Sequence, residues 1–151
     1  MGRLLSSVAI VIVGCLGCSN SPPAQCNATC VSTVVISTSY QGPFVPDGGP
    51  DPIVGGAVRV CVNTAQCSTG TMSAAPGATL TGAFQGQATV SSGVLSATVE
   101  PSFAAVHDGD VWSLHVTAAD GTVLLDLSKA TSYTQQTVCG TQCASATIQM
   151  P

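Results

Sequence analysis

VWSLHVTAADGTVLLDLS, residues 111–128, decides how the rest of the chain is read. Trp112, Leu114, Val116 and Ala118 recur at every second position, and Val123, Leu125 and Leu127 repeat the pattern after Asp120-Gly121. Successive side chains of an extended strand point to opposite faces, so each run presents one apolar face. Asp-Gly between two such runs supplies the left-handed backbone of a tight turn. The stretch is read as a β-hairpin. His115, between Leu114 and Val116, then falls on the face opposite Trp112.

The same period extends outward in both directions. Val34, Ile36, Thr38 and Tyr40 form one face; Val58, Val60 and Val62 form another, with Arg59, Cys61 and Asn63 behind them. Leu80, Phe84, Ala88 and Val90 alternate with Thr81, Gln85, Gln87 and Thr89, and Gly82 and Gly86 point to bulges or to close approach of a neighbour. After Ser91-Ser92-Gly93 the pattern resumes in Leu95, Ala97 and Val99. Residues 132–138 and 144–150 read as two final strands, the last with Ala144, Ala146, Ile148 and Met150 on one face. Residues 41–56 hold four prolines and five glycines and are read as a long loop.

Seven or eight short strands with no helical period predict an all-β fold. The expected form is a two-sheet antiparallel β-sandwich of immunoglobulin-like type, with a small closed barrel as the alternative. The antibody pattern itself is not met, because Trp112 lies far downstream of Cys61 and Cys67.

Composition narrows the partners. Beyond Arg3, only Arg59 and Lys129 are basic, against seven acidic residues. Neutralising a phosphate backbone takes several Lys or Arg, so nucleic acid is excluded. Only 7% of the chain is charged, while Val, Ile, Leu and Ala are plentiful and the polar residues are chiefly Ser, Thr and Gln. Such a composition builds a sheet with hydroxyls on its outer face.

The N-terminus has a different character. Arg3 is followed by a largely apolar run from Leu4 to Val13, then by Gly14-Cys15-Leu16-Gly17-Cys18 and polar Ser19-Asn20. About twenty apolar residues are needed to span a bilayer, and this run is shorter. It has the three parts of an export signal. The cysteines resemble the lipobox of bacterial lipoproteins, in which a small residue precedes a cysteine that is lipidated and becomes the new N-terminus. Ile12-Val13-Gly14-Cys15 fits the box better; Cys15-Leu16-Gly17-Cys18 leaves an even six cysteines in the mature chain. Parity makes Cys18 the preferred site, with Cys15 the alternative. The expected organisation is a signal peptide over 1–17, a lipid anchor and linker over 18–29, and the β domain over 30–151. The resemblance implies several acyl chains on one cysteine, hence durable attachment, since a single chain holds only marginally.

The remaining cysteines form three local pairs: Cys26/Cys30, Cys61/Cys67 and Cys139/Cys143. In an exported chain these are disulfide candidates rather than zinc ligands. Clustering suggests local bridges, most persuasively Cys139–Cys143, read as flanking a turn between the last two strands. A link between the first pair and the third would close a longer loop and stabilise more, so it stays open.

Two histidines carry the remaining chemistry. His107-Asp108-Gly109-Asp110 is the one dense polar cluster; with Glu100, Asp108 and Asp110 are weak calcium candidates, but Asp-Gly-Asp is also ordinary turn material. His115 with an acid and a serine could form a hydrolytic triad, although no G-x-S-x-G elbow is present. Of the six aromatics, Tyr40, Phe84, Phe103, Trp112 and Tyr133 are expected mostly in the core. No cofactor is implied. The expectation is a membrane-tethered, non-enzymatic binding or structural module contacting an envelope protein or polymer. A small hydrolase or metal-dependent enzyme built on His107 or His115 is the alternative, and an inert spacer or coat protein the plainest reading.

Overall fold

The computed structural model describes residues 29–42, 51–75 and 77–151. The expected leader, Cys15, Cys18 and Cys26 lie outside the described residues. The chain is all-β: β1 (Thr33–Ser39), β2 (Ala57–Val62), β3 (Gln66–Thr71), β4 (Gly77–Gly82), β5 (Gln85–Ser91), β6 (Val94–Glu100), β7 (Val111–Thr117), β8 (Val123–Ala130), β9 (Thr134–Val138) and β10 (Thr141–Gln149), with one 3₁₀ turn at Phe103–Ala105. They form one sheet in the order β8-β7-β2-β3-β4-β5-β6-β1-β10-β9. All pairings are antiparallel except β1 with β10, which run parallel from Thr33↔Ser145 to Ser37↔Gln149.

The strand count exceeds the expected seven or eight for two reasons. β3 (QCSTGT) has no large apolar residue to mark its inner face; its one fully buried side chain is Ser68, whose Oγ donates to Phe84 O at 2.6 Å and accepts from Phe84 N at 3.0 Å. The run from Leu80 to Val90 breaks at Ala83-Phe84 into β4 and β5. Gly82, at φ +145°, explains the break, since a Cβ there would lie 2.4 Å from Cys67 O. A Cβ on Gly86 would lie 2.5 Å from Thr98 O. Both glycines mark close backbone approach, one of the two readings their spacing allowed.

The hairpin of residues 111–128 forms as read. Trp112, Leu114 and Val116 are fully buried, and β7 pairs with β8. Gly121 stands at φ +86°, Gly121 N donates to Ala118 O (3.0 Å), and Ala118 N donates to Thr122 O (2.8 Å). This is a three-residue loop with glycine in the left-handed position.

The sheet curls so that strands far apart in its order share one core. β3 and β4 pair only at Ser68↔Gly82 and Thr69↔Thr81, a narrow joint. One buried cluster joins Val58, Val60, Trp112 and Leu114 on one side of that joint to Val34, Ile36, Leu80, Leu95, Val99 and Ile148 on the other. The Phe84 and Trp112 rings meet across it, 5.5 Å between centroids. Lys129 Nζ on β8 donates to Gln149 O on β10 (2.8 Å), drawing together strands from opposite ends of the order. Each fully buried aliphatic side chain in such a core contributes about 1.5–3 kcal/mol.

Two bridges fasten this arrangement. Cys61 and Cys67 face each other directly across β2 and β3, with Cα atoms 4.1 Å apart. Cys30, just before β1, is bonded to Cys143 on β10, 113 residues away. Cys139 is disulfide-bonded as well. The expected Cys139–Cys143 bridge therefore does not form. Cys139 (φ +54°) and Gly140 (φ +77°) occupy the two centre positions of a tight turn, and Cys143 lies further along β10 opposite Gln136. The open long-range alternative is the one present at Cys143.

Candidate functional site

Three polar assemblies stand out, on two outer faces of the sheet and at one end. The first lies over β2, β7 and β8. Because residues of like parity share a face, the register sets Arg59, His115 and Asp126 side by side in one row, and Cys61 beside Ser113 in the next. These five residues and Thr64 line a shallow depression of about 270 Å³. His115 Nδ1 is 3.6 Å from Asp126 Oδ1, with side chains 38% and 74% exposed. Arg59 Nη2 donates to Cys67 Sγ at 3.3 Å.

Ser113, His115 and Asp126 thus meet, the grouping a hydrolase would need, yet the rest of such a site is missing. Ser113 and His115 share no hydrogen bond. β7 is paired on both sides, so its N–H groups are spent in the two ladders and none is free to hold a developing oxyanion. Sequence reasoning singled out His115 but missed Arg59, because the pairing of β2 with β7 has no local signature.

The second assembly covers the outer face of β4, β5, β6, β1 and β10. One row runs Thr79–Gln87–Thr98–Val35–Thr147, and the next Thr89–Ser96–Ser37–Gln149. No residue in either row carries a charge. Ser37 Oγ donates to Gln149 Oε1 at 2.8 Å. A depression of about 420 Å³ opens at one margin, lined by Thr79, Gln85, Gly86, Gln87, Thr98 and Glu100. Glu100 belongs here and not with Asp108 and Asp110.

The third is the His107–Asp110 turn. Asp110 is buried, and its carboxylate is committed to the fold: Oδ1 accepts from Asn63 Nδ2 (2.7 Å), and Oδ2 accepts from His107 N (2.7 Å) and Tyr133 Oη (3.2 Å). Burial pushes its pKa up, but these hydrogen bonds outweigh that and hold it below the usual carboxylate value. Tyr133 Oη also accepts from Trp112 Nε1 at 2.6 Å, and burial leads in raising the phenol to about 12. Asp108 Oδ1 accepts from Tyr133 N at 2.8 Å. The two aspartates named as calcium candidates serve here as acceptors that pin the segment between β8 and β9 to the start of β7. His107 contributes its backbone N–H. Among the described residues no group of three His, Cys, Asp or Glu side chains is placed to hold a metal ion.

Of the aromatics, Tyr40, Phe84 and Trp112 are buried, and Phe103 and Tyr133 are half-buried against the core. Among the described residues, neither outer face therefore offers an aromatic platform. No known protein family, curated protein or solved structure matches the chain.

Proposed function

We propose that this chain is an exported, lipid-tethered module of the cell envelope that binds rather than catalyses. In this reading Cys18 carries the lipid, with Cys15 the alternative, and the curled sheet is an immunoglobulin-like two-layer sandwich hinged at β3 and β4. The disulfides belong to an oxidising, extracytoplasmic compartment. The tether is assigned to the N-terminal lipid because the apolar run Leu4–Val13 and the cysteines after it resemble a lipobox. The observation that carries the binding role is the pair of uncharged rows on the face of β4-β5-β6-β1-β10, with Glu100 confined to one margin. The hydroxyl and amide groups of these rows suit a neutral, hydroxyl-rich polymer of the envelope: they exchange hydrogen bonds with such a ligand without desolvating a charge.

The test uses the full chain in detergent, sedimented with insoluble neutral polysaccharide. The wild type is expected in the pellet, and Thr98→Arg, which puts bulk and charge in the middle of one row, in the supernatant. Equal sedimentation of both, or of neither, would overturn the binding role. Loss of palmitate labelling in Cys18→Ser but not in Cys15→Ser is the expected outcome for the tether.

The hydrolase reading rests on the Ser113–His115–Asp126 grouping. A fluorophosphonate probe is expected to leave Ser113 unlabelled; labelling there would establish that reading instead.

A further inference from the structure

We propose that the Cys61–Cys67 bridge is an exchangeable disulfide, opened by an incoming thiol in the depression beside His115. Cys61 lines that depression together with Arg59, Ser113, His115 and Asp126, so one sulfur of the bridge adjoins a space where a second thiol can enter. Cys67, the less buried of the two, receives the Arg59 guanidinium, Nη2 to Sγ 3.3 Å. Arg59 is one of two basic side chains other than the histidines beyond Arg3, and it stands against a sulfur.

The chemistry follows from that placement. A thiolate attacks a disulfide sulfur in line with the bond that breaks, and exchange is faster when the leaving thiol has a lower pKa. The incoming thiol gives its proton to His115, whose Nδ1 is turned to Asp126, leaving Nε2 to accept it. Its sulfur bonds to Cys61 Sγ as the Cys61–Cys67 bond breaks, and Cys67 leaves as a thiolate held by Arg59. Asp126 on β8 and Arg59 on β2 are the charged groups flanking His115 on the neighbouring strands. A second thiol then takes the first as a disulfide and releases Cys61, so two thiols are oxidised as the bridge is reduced. The co-reactant is a thiol, small or borne by a protein.

The surroundings allow the bridge to open without unfolding. It spans only six residues, and six register pairs from Ala57↔Thr71 to Val62↔Gln66 still join β2 to β3. It also closes a turn in which Thr64, a β-branched residue, is held at φ +59°, a conformation such residues avoid. Cys30–Cys143 closes a span of 113 residues and, among the described residues, has no basic side chain bonded to it; it serves as the internal control.

The experiment treats the folded full-length chain with graded glutathione buffers, traps thiols by alkylation, and locates label and glutathione by peptide mass spectrometry. Cys61–Cys67 is expected to open while Cys30–Cys143 stays closed, with glutathione on Cys61 and a free thiol on Cys67. Arg59→Gln should slow opening about three- to tenfold, and Arg59→Lys should recover part of the rate. His115→Ala should slow opening by removing the group that takes the proton of the incoming thiol. Opening no faster than Cys30–Cys143, glutathione on Cys67, or unchanged rates in these variants would each overturn the proposal.

Discussion

The two bridges hold two differently built halves of the same sheet. In β8-β7-β2-β3, the hairpins β2–β3 and β7–β8 are local and meet through the non-local β2–β7 pairing, and the bridge Cys61–Cys67 adds a crosslink within a hairpin whose ladder is already complete. In β4-β5-β6-β1-β10-β9, the first strand lies parallel to the last, a contact no hairpin can make. There the bridge joins Cys30 to Cys143 across 113 residues. A crosslink matters most where the chain has the most freedom to lose. One half therefore has a bridge that bears its topology. The other has one that can open.

Replacing both Cys30 and Cys143 by Ala should cost the most, about 5 kcal/mol on the loop-entropy scale, read from urea unfolding of the two-state kind. Below that come the core truncations Leu114→Ala on β7 and Leu95→Ala on β6. Both side chains are fully buried in the common cluster, and each change is expected to cost about 3 kcal/mol in a single cooperative transition. Two separate transitions would show the halves to be independent. Replacing Cys61 and Cys67 together by Ala should cost only about 2 kcal/mol.

Smaller still is the effect of the Tyr133 hydroxyl, which ties the two ends of the strand order together. Tyr133→Phe leaves the buried Trp112 N–H without its acceptor and is expected to cost about 1–2 kcal/mol in urea unfolding. The wild-type pH profile should show the same tie. The phenol is raised from 10.0 to about 12, so its contribution is whole below pH 10 and is lost as pH rises through about 12. Asp110 acts in the opposite sense: its pKa is lowered, so its contribution is present above the ordinary carboxylate range and is lost as pH falls through the folded value. Thermal unfolding across pH should show a smaller alkaline loss in Tyr133→Phe than in the wild type, the remainder coming from the buried Tyr40 phenol, also raised.

What the sequence reveals follows the same division. The β7–β8 hairpin was legible because Asp120-Gly121 and the alternation around it are local, and the burial of Val34, Ile36, Thr38 and Tyr40 follows their period. β3 was not, because its buried residue is a serine satisfied by the Phe84 backbone rather than by apolar contact. The parallel pairing of β1 with β10 leaves no mark in either segment, so the partner of Cys143 was legible only as one of two alternatives. At the candidate sites, the hydroxyl-covered face could be anticipated from composition. The Arg59–His115–Asp126 row could not: three strands supply it, and each residue alone reads as an ordinary exposed side chain. The Asp110 network was visible only as a cluster. Its partners Asn63 and Tyr133 come from elements 47 and 23 residues away.

The account turns on the last strand being fastened to the segment before the first. Proteolysis of the unreduced, oxidised full-length chain, followed by mass spectrometry of crosslinked peptides, reads this directly. Expected are a bridge joining Cys30 to Cys143, beside that of Cys139, and one segment closed by Cys61–Cys67. A peptide closed on itself by Cys139–Cys143 would contradict the parallel β1–β10 pairing and the comparison built on it.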